Sequence, residues 1–188
     1  MGQAGTPPVP QDWRKRTPLI QPEHEKGMYL MSVVDNGPNP NAFDIETETV
    51  ENTNYRTVAW TGKYLQVTLM SIPVGESIGL EVHPETDQFL RLDAGTGKCV
   101  MGPAQDDLTF EQEVSDGWSV QVPAGTWHDI INVGDEPMQV YAVYAPTHHA
   151  VGVVQATAED AAADEKAGRD EPPSWSTQPG SGAADQHG

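Results

Sequence analysis

The chain has 188 residues, close to the size of one domain, and its 37% of hydrophobic residues is low for a chain that folds along its whole length. Ten Lys and Arg against 28 Asp and Glu give a net charge of −18, which repels phosphate backbones and anionic lipid, so nucleic acid and membrane surfaces are excluded as partners. No apolar run approaches the roughly 20 residues that span a bilayer.

Residues 1–12 carry Gly, Pro and polar side chains with little to build a core, and are expected to be disordered. The start, MGQAGTPPVPQDWRKRTPLI, lacks the apolar stretch of a secretory signal. Cys99 is the single cysteine, so no internal disulfide is available and a reducing cytoplasm is the expected compartment. Residues 13–54 form an N-terminal arm in which prolines at 18, 22, 38 and 40 forbid a long helix and only EHEKGMYLMSVV offers a short strand.

From residue 55 to 150 the pattern is strand after strand: YRTVAWTG, YLQVTLMSIP, QFLRLDAG, GKCVMG, LTFEQEV, WSVQVP, HDIINVG and MQVYAVYAP, punctuated by Gly, Pro, Asp and Asn. YLQVTLMSI and MQVYAVYA are apolar at nearly every position, as in strands packed on both faces, whereas LTFEQEV alternates as a strand with one face in water does. Residues 151–188 read as one short helix, TAEDAAADEKAG, capped by Thr157 and standing outside the β region, followed by a disordered acidic tail.

Two stretches of the β region carry chemistry. In the first, Gly75, Glu81, His83, Gln88 and Gly95 are separated by five, one, four and six residues; in the second, Gly117, Pro123, Gly125, His128 and Asn132 by five, one, two and three. Residues 81 and 83, two apart on a strand, project from the same face, and Gln88 can return to that face after the turn at PETD.

These spacings resemble the two signature motifs of the cupin superfamily. The second motif matches at every marked position; the first keeps the spacing but has Glu81, His83 and Gln88 where the family pattern has His, His and Glu. The resemblance implies an all-β double-stranded β-helix, or jelly-roll barrel, in which Glu81, His83, Gln88 and His128 converge on one divalent metal ion. Exchanging one imidazole for an amide oxygen makes the donor set harder, so zinc, manganese, iron or nickel is expected in preference to copper. It also implies a homodimer in which the arm crosses to the partner.

The plain alternative is that these side chains are hydrogen-bonded core groups. Against it, a Glu81 carboxylate buried without a counter-charge would be costly, and no Lys or Arg lies near it in the motif. With a metal, the expected chemistry is isomerisation, epimerisation or lyase cleavage of a small polar metabolite such as an uncharged hydroxycarbonyl, with Glu81 and His128 as catalytic candidates. Two further readings stand beside it: a non-haem iron dioxygenase using the two imidazoles and one carboxylate, and a non-catalytic binding or sensor domain. Trp127 and Arg91 are expected to point away from the metal, and His148 and His149, at the close of the barrel, to form a solvated pair or, alternatively, to cover its mouth as acid or base. Of Tyr64, Gln66 and Thr68, one parity must line the interior.

Overall fold

The computed structural model describes residues 33–176. The predicted disorder of residues 1–12, most of the EHEKGMYLMSVV strand and the end of the acidic tail lie outside the described residues. All eight predicted strands of the β region form: β1 (Arg56–Thr61), β2 (Gln66–Ile72), β3 (Asp87–Ala94), β4 (Thr96–Gly102), β5 (Phe110–Ser115), β6 (Ser119–Val122), β7 (Trp127–Asn132) and β8 (Met138–Ala145). A two-residue strand β9 (Val154–Gln155) and two helices, α1 (Ile45–Glu51) and α2 (Ala158–Lys166), complete the described residues.

The strands make an antiparallel six-stranded sheet in the order β6-β3-β8-β2-β1-β9 and a three-stranded sheet β5-β4-β7. Residues 77–81 add to the smaller sheet, bridging Ser77 to Ile131 and Glu81 to His128. Even-numbered residues of β2, β3 and β8 point inward: Met70, Ile72, Leu90, Leu92, Val140 and Ala142 meet Cys99, Val114 and Ile130 of the other sheet in one buried core. Two sheets closed over a shared core in this way form the jelly roll expected from the strand pattern.

Leu69 faces outward yet is fully buried, because α1 packs across β2, β3 and β8. The arm thus carries one short helix that the sequence reading of residues 13–54 does not place. Four of the seven α1 residues, Ile45, Thr47, Thr49 and Val50, are β-branched, so local propensity argues against a helix there. The sheet beneath it and its ends decide instead. Asp44 accepts from the Thr47 backbone N–H at 3.3 Å, and Gln139 Nε2 donates to the carbonyls of Val50 and Asn52 at 3.0 and 3.1 Å. The alternation expected of β5 is weak: Phe110 is exposed and Val114 alone turns fully inward, since β5 is the edge of the small sheet.

Cys99 lies in the core, and burial pushes its thiol up to about 11. The thiolate is the reactive form, so iodoacetamide at pH 7.5 is expected to leave the folded protein unmodified and to alkylate Cys99 once urea unfolds it. Mass spectrometry showing labelling of the folded chain at the rate of a free cysteine would contradict this packing.

The helix expected to stand outside the β region does not. A capping box with bonds of 3.1 Å between Thr157 and Asp160 starts α2, and Ala161 is buried in the core cluster. Small side chains on that face let the helix approach closely. The chain beyond α2 also turns back onto the barrel: Asp170 accepts from the Ala150 backbone N–H at 2.9 Å.

Candidate metal centre

Glu81 and His128 are brought together by backbone. Glu81 N–H donates to His128 O at 3.0 Å and His128 N–H to Glu81 O at 2.9 Å, the reciprocal exchange of an antiparallel pair, so the two side chains leave the ladder side by side. His83 follows two residues on, and its carbonyl accepts from Gly125 N–H at 2.9 Å. Gly125 has φ +78°, a left-handed conformation that a side chain would strain, which accounts for glycine in this turn. Asp87 Oδ1 takes the Ala124 N–H at 2.9 Å and ties the first motif to the second.

Glu81 Oε1 lies 3.1 Å from His83 Nε2 and 3.5 Å from His128 Nε2, and the donor atoms of all three residues fall within 4.8 Å of one another. His128 Nδ1 is 3.0 Å from the Thr126 carbonyl, an acceptor, so its proton sits on Nδ1 and Nε2 offers a lone pair. That Nε2 is buried without a hydrogen-bond partner. Burial pushes the Glu81 carboxyl up, but contacts with His128 and then His83 outweigh it and hold the group well below the usual carboxylate range. A carboxylate flanked by two imidazole nitrogens is a donor set that a divalent cation fits.

Gln88 stands on the inward face of β3, opposite Val122 on one side and Tyr144 on the other. It is 3% exposed, and neither amide atom has a partner. Gln66 and Thr68 are also buried, so the even parity of β2 lines the interior, while Tyr64 is 62% exposed ahead of the strand. Gln66 acts as a clamp. Its Oε1 accepts from the backbone N–H of His149 at 2.8 Å and of His148 at 3.3 Å, and its Nε2 donates to His149 O at 2.9 Å.

That clamp overturns the expectation of a solvated histidine pair. His149 is 5% exposed, and His148 packs edge-on against His83 with ring centroids 4.2 Å apart. Both line a cavity of about 700 Å³ that Glu81 and His83 also border and that α2 roofs with Ala158, Ala161 and Ala162. Burial drives His148 down to about 3, with His149 and His83 acting in the same direction, so the ring is neutral. Trp127 and Arg91 take no part: Trp127 is half-buried on the other parity of β7, and Arg91 pairs with Asp93. Sequence reasoning missed Arg56 and Asp170, which also line the cavity. Nothing in their spacing relates them to the two motifs; they meet only through the closure of the barrel and the return of the C-terminal segment.

A small antiparallel jelly roll in which two buried histidines meet a partly exposed glutamate beside a cavity defines a class of β-barrel with a metal-binding-capable centre. The cupin-domain family matches residues 68–144. The chain is 49% identical to the uncharacterized protein YrkC of Bacillus subtilis (strain 168) over 131 residues, 70% of each chain. It is 34% identical to the uncharacterized protein L612 of Acanthamoeba polyphaga mimivirus over 112 residues, 59% of this chain and 68% of that one. The crystal structure of BH2720 from Bacillus halodurans is 50% identical and superposes with a TM-score of 0.69, covering 70% of this chain and 99% of that one. The protein belongs to the cupin superfamily.

Proposed function

We propose that this cupin is a metal-dependent isomerase, epimerase or lyase acting on an uncharged hydroxycarbonyl compound. Support comes chiefly from one observation: Glu81, His83 and His128 cluster, and Glu81 and His83 border a cavity of about 700 Å³ in which, among the described residues, Arg56 is the one Lys or Arg side chain on the wall. Gln88, buried with an unpartnered amide, supplies the fourth ligand. Zinc, manganese, iron or nickel suits two imidazoles, a carboxylate and an amide oxygen, and when bound would polarise a substrate carbonyl as a Lewis acid. Glu81 and His128 orient the reacting group, and the neutral rings of His148 and His149 and the roof of α2 keep water from it.

Arg56 is already paired with Asp170, and Glu165 and Glu171 stand at the rim, so a phosphorylated substrate meets more negative charge than positive. In this reading the protein works in the cytoplasm as a homodimer on a small polar metabolite.

The test is elemental analysis of protein purified without a metal-binding tag, followed by NMR of D-fructose incubated with it in D2O. About one metal per chain and deuterium incorporation next to the carbonyl are expected, both lost in Glu81→Ala. The grouping of two imidazoles and one carboxylate also favours a second reading, a non-haem iron dioxygenase. Iron in the protein with oxygen uptake and no proton exchange would select it. Absence of any metal would reject both.

A further inference from the structure

On the wall of the same cavity stands a second polar cluster that the metal centre does not use. His149 Nδ1 is 2.9 Å from Asp170 Oδ2, and the same oxygen is 3.7 Å from Arg56 NH1, which also donates to Gln155 Oε1 at 3.0 Å. Asp170 Oδ1 is occupied by the Ala150 N–H, and Gln155 Nε2 closes the network on Asp170 Oδ2 at 3.3 Å. With a carboxylate against Nδ1, the His149 proton is fixed there and Nε2 is an acceptor. Burial and then Arg56 push this imidazole down, more than Asp170 raises it, so the ring stays neutral.

Two polar atoms in this network have no partner. They are His149 Nε2, an acceptor, and Arg56 Nε–H, a donor, and both are enclosed on side chains that are 5% and 7% exposed. Leaving buried polar groups unsatisfied is costly, and such groups call for a ligand or an ordered water. Both side chains line the cavity. The charge of Arg56 is balanced by Asp170, so the pair presents one donor and one acceptor without net charge, a match for a hydroxyl group, which both accepts and donates. A phosphate or carboxylate would find a donor but would be repelled by the Nε2 lone pair and by Asp170.

We infer that Arg56, His149 and Asp170 form a hydroxyl-binding subsite, separate from the metal centre, that anchors an uncharged polyhydroxy substrate. This rests on the hydroxycarbonyl reading above and narrows it to sugars and polyols without phosphate. It also makes the segment after α2 part of the binding site, since Asp170 fixes the imidazole tautomer.

The experiment is NMR on the full chain loaded with Zn²⁺, following histidine ring nitrogens and the Arg56 Nε–H during titration with D-fructose and, separately, D-fructose 6-phosphate. Fructose is expected to shift both His149 Nε2 and Arg56 Nε–H, and to bind more tightly than its phosphate. Arg56→Lys and Asp170→Asn, with zinc content and circular dichroism retained, are expected to weaken fructose about tenfold, the worth of one or two well-made hydrogen bonds. Fructose that shifts His83 and His128 but leaves His149 and Arg56 unmoved would overturn the subsite while leaving the proposed function in place. Tighter binding of the phosphate, a proton on His149 Nε2 in the free protein, or no binding of either sugar would also overturn it. If a variant misfolds, the shifts in the unsubstituted protein decide the matter.

Discussion

His128→Ala is expected to bring metal content to near background while leaving the β-sheet signal in circular dichroism largely intact. His128 is fully buried, its Nδ1 is held by the Thr126 carbonyl and its Nε2 is left without a partner beside Glu81 Oε1. The ring is therefore oriented before any cation arrives, and removing it takes away both a donor and the geometry for the others. Changes to groups that merely orient a metal ligand cost about 10–100-fold in affinity, so loss of a ligand should exceed that. Glu81→Gln serves as the conservative companion: it keeps the side-chain shape and removes the single negative charge of the set. A ligand that binds only the folded state at 100 times its dissociation constant stabilises it by about 2.7 kcal/mol, so a chelator should lower the Tm of the unsubstituted protein and leave that of His128→Ala unchanged. Full metal retention in both variants would sink the assignment.

The motifs make half of this arrangement legible in the sequence, and the reason is local geometry. Glu81 and His83 share a face because strand side chains repeat every two residues, and Pro123, Gly125 and His128 are spaced by one tight turn. The strands were equally legible, because β-branched runs bounded by Gly and Pro have few alternatives. What escaped was set by distant parts of the chain. The run IETETVE is helical because a sheet lies under it, and His149 is buried because Gln66, more than 80 residues earlier, grips its backbone. Asp170 looked like part of an acidic tail, and only the folded chain shows it against Arg56 and His149. An isolated histidine pair gives no hint of whether water or a carboxylate will meet it.

The burial of that pair carries the other large expectation, a loss of stability in mild acid. His148 is pushed down to about 3 and His149 is also lowered, in both cases by burial first, from an ordinary value of 6.5. For a base whose folded pKa lies below its unfolded one, the unfolded chain takes up the proton first. The stability is therefore fully present above pH 6.5 and declines as pH falls below it, by up to about 1.4 kcal/mol per pH unit for each group. Between pH 6.5 and 5 His148 alone can remove up to about 2 kcal/mol, a sizeable share of the 5–15 kcal/mol typical of a domain, its partial exposure reduces that figure, and His149 acts in the same direction. Asp170 acts lower. Burial raises its carboxyl, but the contacts with His149 outweigh this and hold it below the ordinary value of 3.8, so its contribution is kept above that pH and lost beneath it. Thermal unfolding of chelator-treated protein at pH 7.5, 6.5, 5.5 and 5.0 separates these windows from metal release. A Tm that falls steadily below pH 6.5, and falls less when His148 and His149 are both replaced by Gln, is expected. A flat profile down to pH 5, or the same slope in the double variant, would mean that both rings take up protons inside the fold, and the closed, neutral wall of the cavity would have to be abandoned.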